Sequence, residues 1–145
     1  MSGAGKSTLV AELRARGHAA FDADDGFSEQ PRGDGRWGWR AARVADLLDR
    51  LADGLVFFAG CSDEQADLPF DYRVLLTAPA PVLVERLRAR AGNGYGREPG
   101  ELAQVLGDLE AVEPLLRRSA DLVLTTATAR PAELADRVLA AIGYR

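Results

Sequence analysis

The chain has 145 residues, 47% of them hydrophobic and 28% charged, with a formal net charge of −4. That length suits one packed core, and the balance excludes a disordered chain, a collagen-like repeat and a general nucleic-acid binder. A lone cysteine, Cys61, excludes an intrachain disulfide and fits a reducing cytosol, and no apolar run approaches the ~20 residues that cross a bilayer.

In chain order, residues 6–16 read as a helix with Leu9, Val10 and Leu13 on one face. His18 to Phe21 is a short extended stretch that runs into acids. Val44, Leu47, Leu48 and Leu51 follow helical spacing and predict an amphipathic helix over about 39–53. Leu55 to Ala59 is a continuous apolar run, as expected of a strand buried on both faces, and Tyr72 to Thr77 is a second. A helix over 80–91 leads into Gly92-Asn93-Gly94-Tyr95-Gly96, which is too glycine-rich to be regular. Leu102, Val105, Leu106 and Leu109 mark a further helix running to Arg118 with a disturbance at Pro114. Leu122 to Thr125 is a last strand, and Leu134, Val138, Leu139 and Ile142 close with a helix. Strands separated by helices predict an α/β fold of three layers, a parallel sheet covered on both faces, in a single domain over 1–145.

Ser2-Gly3-Ala4-Gly5-Lys6-Ser7-Thr8 is most of a Walker A phosphate loop, G-x-x-x-x-G-K-[ST]. Its glycines let backbone N–H groups turn inward around phosphate oxygens, Lys6 reaches the β- and γ-phosphates, and the Ser7 hydroxyl joins a Mg²⁺ shell. The helix that follows points its positive end at the same anion. Only one of the 18 cationic side chains is a lysine, and it stands where a compact ammonium is wanted. The bland alternative is a glycine turn capping an ordinary helix. The motif's first glycine, and the strand that normally feeds it, would fall before Met1. Either Met1 is internal to a G-M-S-G-A-G-K-S-T loop, or the chain is a truncation lacking the first, central strand. Met1-Ser2-Gly3 itself shows no secretory signal.

A guanine-reading N-K-x-D element is excluded, since Asn93 is the sole Asn and Lys6 the sole Lys. The strands after residue 54 end in Gly60-Cys61 and Thr77-Ala78 and supply no carboxylate. Only Ala19-Ala20-Phe21-Asp22 runs straight into an acid, followed by Ala23 and Asp24. In these respects the chain resembles the small P-loop kinases, the group of shikimate, gluconate and nucleoside-monophosphate kinases. The resemblance covers the whole chain in element order, apart from the first strand.

The resemblance implies an ATP- and Mg²⁺-dependent transfer of the γ-phosphoryl group to a small-molecule acceptor. Asp22-Ala23-Asp24 looks like a D-x-D that places Asp22 near the metal, alongside Ser7, and Asp24 at the acceptor hydroxyl as general base; the alternative is a solvated acidic turn. Glu85 to Arg90 and the loop to Arg97 look like a lid, about 91–100. Arg86 and Arg90 share a helical face and are implied nucleotide contacts, and Arg90 and Arg97 close on the transferring group. The alternative is an arginine-rich solvated helix. Trp37, Trp39 and Arg40 fall in an acceptor-binding segment, about 24–53, where the tryptophans either stack on a planar acceptor or wedge a lobe against the core. Gly60 sits where a glycine run lines the substrate, and Cys61 reads as an inert, semi-buried thiol. Thr126 to Pro131 takes the position that flanks adenine. The family places a carboxylate-binding Arg where this chain has Val112, a departure that counts against shikimate itself.

The expected set is therefore catalytic Lys6, Asp24, Arg90 and Arg97; nucleotide-binding Ser2, Gly3, Ala4, Gly5, Lys6, Ser7, Thr8, Arg86 and Arg90; and metal-binding Ser7 and Asp22. Expected partners are a small phosphoryl acceptor but neither nucleic acid nor membrane, with the protein a cytoplasmic monomer or homodimer. The competing reading is a nucleotide-binding regulatory module or a plain ATPase without an acceptor.

Overall fold

The structure, a computed structural model, describes residues 3–29, 38–89 and 99–144. The chain divides into two compact units, one formed by 1–5 and 72–145 and the other by 6–71.

The second of these begins with helix α1 (Lys6–Ala15), whose Leu9, Val10 and Leu13 are buried, as their spacing predicts. Gly17, at φ +88°, ends it. The Gly17 N–H donates to Arg14 O and the His18 N–H to Leu13 O, at 2.9 and 3.0 Å. This left-handed glycine cap reverses the chain so that strand β1 (Ala19–Asp22) runs back along the helix. After β1 come two short strands, β2 (Ser28–Glu29) and β3 (Gly38–Trp39), paired antiparallel. They are too short to produce a periodic signal, and they take Trp39 out of the helix expected from about residue 39. That helix, α2, spans Ala41–Arg50 and buries Val44 and Leu47. Strand β4 (Val56–Ala59) pairs in parallel with β1, Asp22 opposite Ala59. All four of its residues are half-buried, and Leu55 is 37% exposed. The expectation of a strand buried on both faces is corrected: none of its four residues is fully buried. A 3₁₀ turn over Asp63–Asp67 follows.

In the other unit, β5 (Val74–Thr77) and β6 (Leu122–Thr125) form a parallel pair with Thr77 opposite Thr125. Between them run α3 (Ala80–Ala89), α4 (Pro99–Ala111) and α5 (Glu113–Ser119). The single helix expected to Arg118 is two, broken at Val112. Pro114 lies in the first turn of α5, where its missing N–H costs nothing, while continuing α4 through it would lose a bond. Helix α6 (Pro131–Ala141) buries Leu134, Ala135 and Val138. The architecture is α/β with parallel strands flanked by helices. Among the described residues no strand precedes α1, and parallel pairing is divided into two ladders, β1–β4 and β5–β6.

The core of the 6–71 unit is aromatic. Trp39, 6% exposed, stands edge-on to Phe58 and Phe70, and Phe27 stands edge-on to Phe21 and Phe58. Gly60 lies directly against it. A Cβ there would come within 2.8 Å of both Ala23 Cβ and Trp39 Cζ2, neither of which is the free end of a flexible chain. Gly60→Ala is expected to cost about 1–3 kcal/mol. Urea denaturation should show a lowered midpoint at unchanged slope.

Candidate active site

The phosphate-loop sequence has the backbone its glycines permit. Gly3 and Gly5 sit at φ +76° and +98°, a region that side chains avoid, and Ala4 between them is 1% exposed. Lys6 is the first residue of α1, half-buried, and Ser7 and Thr8 occupy its exposed first turn. The first-turn N–H groups of a helix lack intrahelical acceptors, so this end carries partial positive charge beside the loop.

Within the 6–71 unit, β1 delivers Asp22 to the start of α1. The Ser7 hydroxyl donates to Asp22 Oδ2 at 2.5 Å, joining the two residues expected to serve a metal. The other carboxylate oxygen, Asp22 Oδ1, accepts the Asp24 N–H at 3.0 Å. The acidic run is thus a closed turn, and the Asp24 carboxylate lies exposed beyond it. Asp25 faces back: its Oδ2 accepts from the Asp22 N–H at 3.2 Å and from Arg14 at 2.5 Å. Arg14 also donates through Nε to the Ala20 carbonyl at 2.6 Å. One arginine on α1 therefore holds both ends of the turn that presents Asp22. The Arg14 hydrogen bond keeps the Asp25 carboxyl below its ordinary range, against a smaller opposing effect of burial.

Trp39 wedges the aromatic core, and Arg40 pairs with Glu29 at 3.8 Å, both groups about half exposed. Gly60 is required by that packing. Cys61 is exposed, which corrects the semi-buried thiol expected.

In the other unit, Arg86 of α3 spends both terminal nitrogens on protein oxygens. Nη1 donates to Gly3 O at 3.1 Å and to Thr126 Oγ1 at 2.6 Å, and Nη2 donates to Thr126 O at 2.6 Å. Thr126, 5% exposed, donates its hydroxyl to Ala4 O at 2.8 Å and its N–H to Thr77 O at 2.8 Å. Sequence reasoning named Thr126 only as the start of a loop, because nothing local marks a threonine that reaches a residue 122 positions away. Farther along, a cleft of about 400 Å³ at the C-terminal ends of β5 and β6 is lined by Thr77, Pro79, Glu113, Arg117 and Thr125. Glu113 is buried there. Its Oε1 accepts from Thr77 Oγ1 at 2.9 Å and from Arg117, while Oε2 has no partner among the described residues. Ser2, Trp37, Arg90 and Arg97, with most of the expected lid, lie outside the described residues.

The chain belongs to the AAA domain family, which matches residues 1–107. Its fold is that of a small P-loop kinase. Shikimate kinase from Acinetobacter baumannii, solved in complex with shikimate, superposes with a TM-score of 0.66 over 97% of this chain and 88% of the enzyme, at 17% sequence identity. No curated protein sequence matches this chain. Among the described residues no helix is long and apolar enough to cross a membrane.

The Arg14–Asp25 pair gives a pH signature. Folding depresses the Asp25 pKa below its ordinary 3.8. The stability it adds is therefore fully present above that value and is lost as pH falls through the lower folded one. Both side chains are nearly half exposed, so Asp25→Asn is expected to cost only about 0.2–1 kcal/mol at pH 7. The difference from the parent chain in urea denaturation should shrink as the pH drops below 3.8.

Proposed function

We propose that this chain binds ATP with Mg²⁺ and transfers the γ-phosphoryl group to a hydroxyl or phosphate of a small acceptor. The observation that carries the reading is the 2.5 Å hydrogen bond between Ser7 Oγ and Asp22 Oδ2. A glycine turn that merely capped a helix would have no reason to bring a hydroxyl and a strand-end carboxylate together.

The donor set suits the metal. Mg²⁺ prefers hard oxygens and commonly keeps one or two protein ligands, filling the rest of its octahedron with water and substrate phosphates. Ser7 and Asp22 supply such a pair, and among the described residues no group of three or more His, Cys, Asp or Glu side chains forms a dedicated metal cage. Ser7 and Asp22 would hold the ion, which would supply positive charge to offset that of the phosphates.

The remaining work is positioning and electrostatics. Loop amides from Gly3 to Thr8 and the Lys6 ammonium cradle the phosphates, with Ser2 at the loop's entry. Asp24, exposed and two residues beyond Asp22, takes the acceptor's proton. Arg97, in a lid over about 91–100, and Arg90, just before it in sequence, both implied by the resemblance, bring positive charge to the transferring group. The segment 24–53 holds the acceptor, all within one catalytic domain.

Titration with Mg·ATP should saturate for the parent chain. Lys6→Met should lower kcat/KM for ADP release by at least about 100-fold, the scale on which single charge-stabilising groups act. ADP release that depends on one member of a panel of nucleosides, monophosphates and hydroxy acids supports the kinase. Turnover that needs Lys6 but no acceptor identifies a plain ATPase. Absence of binding overturns the reading altogether.

A further inference from the structure

We infer that Thr126 and Arg86 are positioning residues that set the phosphate loop, with Arg86 acting on the loop backbone and not on the base. The inference rests on the phosphate-loop reading above and deepens it.

The argument starts from peptide geometry. A trans peptide is planar, so its C=O and N–H point in opposite directions, and the described chain has no cis peptide bonds. Whatever holds a loop carbonyl outward therefore aims the next residue's N–H inward. Arg86 Nη1 holds the Gly3 carbonyl at 3.1 Å, which orients the Ala4 N–H. Thr126 Oγ1 holds the Ala4 carbonyl at 2.8 Å, which orients the Gly5 N–H. Among the described residues neither of these amides donates to another backbone carbonyl. Gly3 and Gly5, both at positive φ, leave one flank of each plane without a side chain to restrain it, so the two hydrogen bonds supply orientation that glycine does not.

The two anchors are themselves cross-linked. Arg86 donates to both the hydroxyl and the carbonyl of Thr126, and the Thr126 N–H is fixed on Thr77 O at the end of β5. Donation from Arg86 occupies the hydroxyl oxygen as acceptor, and its single proton goes to Ala4 O at 2.8 Å in preference to Thr77 O at 3.5 Å. The methyl adds a steric stop: Thr126 Cγ2 lies 3.6 Å from where a Cβ on Gly5 would stand. A threonine at the end of β6 and an arginine on α3 thus transmit the rigidity of a β-strand to two amides of a glycine turn. A guanidinium with Nη1 and Nη2 both engaged in this way is placed for bracing.

The test uses two ligands, Mg·ATP and magnesium-complexed inorganic triphosphate, which has no base. Thr126→Ser keeps the hydroxyl and should bind both within about twofold of the parent chain. Thr126→Val keeps the shape without the hydrogen bond and should weaken both about tenfold. Arg86→Lys retains charge but not the fork and should weaken both severalfold; it answers the question alone if Thr126→Val shows no cooperative urea transition. Full affinity for triphosphate in Thr126→Val or Arg86→Lys overturns the inference. So does a loss confined to ATP, which would make Arg86 a base contact. A parent chain that binds neither ligand sinks the phosphate-loop reading itself, a different failure from an unchanged variant.

Discussion

A glycine turn that is to hold an anion must present N–H groups on one side, and nothing in glycine itself chooses that side. This constraint organises the chain. Gly3 and Gly5 make the turn sterically possible, but their freedom has to be removed again by neighbours. On the helix side this is done by α1, whose first turn fixes the amides from Lys6 onward by continuing into regular structure. On the other side it is done by side chains, Arg86 and Thr126, reaching the Gly3 and Ala4 carbonyls.

The carboxylate that accepts from Ser7 obeys a comparable logic. Asp22 is useful only if its carboxyl faces Ser7, and a short strand of four residues is a weak guarantee of that. The Gly17 cap turns the chain, pairing with β4 fixes the register, and Arg14 ties Ala20 and Asp25 to α1 on either side of Asp22. Each contact is modest, and half-exposed ion pairs contribute little singly. Together they hold one hydroxyl–carboxylate distance. The aromatic cluster beneath sets the limit of tolerance, since Trp39 and Ala23 leave Gly60 no room for a Cβ.

Much of this was legible in the amino-acid order. The strand at Leu122–Thr125 falls on its apolar run, and the helix from Lys6 follows its apolar spacing because it buries Leu9, Val10 and Leu13 on one face. The Ser7–Asp22 partnership could be anticipated from the resemblance to small P-loop kinases. Legibility failed where the deciding contact was non-local or too short to repeat. The β2–β3 pair is two residues long, and the helix break at Val112 depends on which turn of α5 accommodates Pro114. Cys61 read as an inert, semi-buried thiol, yet it is exposed just beyond the end of β4.

Sequence alone determined the chemistry on offer: a phosphate-type loop with a single ammonium, a hydroxyl after it, and one strand that ends in acids. These follow from residue type and near-neighbour spacing, which local sterics translate directly into a turn and a helix. Only tertiary structure decided what each cation does. Arg14, which no sequence pattern singles out, braces the acidic turn, and Arg86, expected at the nucleotide, grips the loop backbone. A guanidinium's role is set by the acceptors within about 3 Å of its nitrogens, and those acceptors come from chain positions as much as 83 residues away.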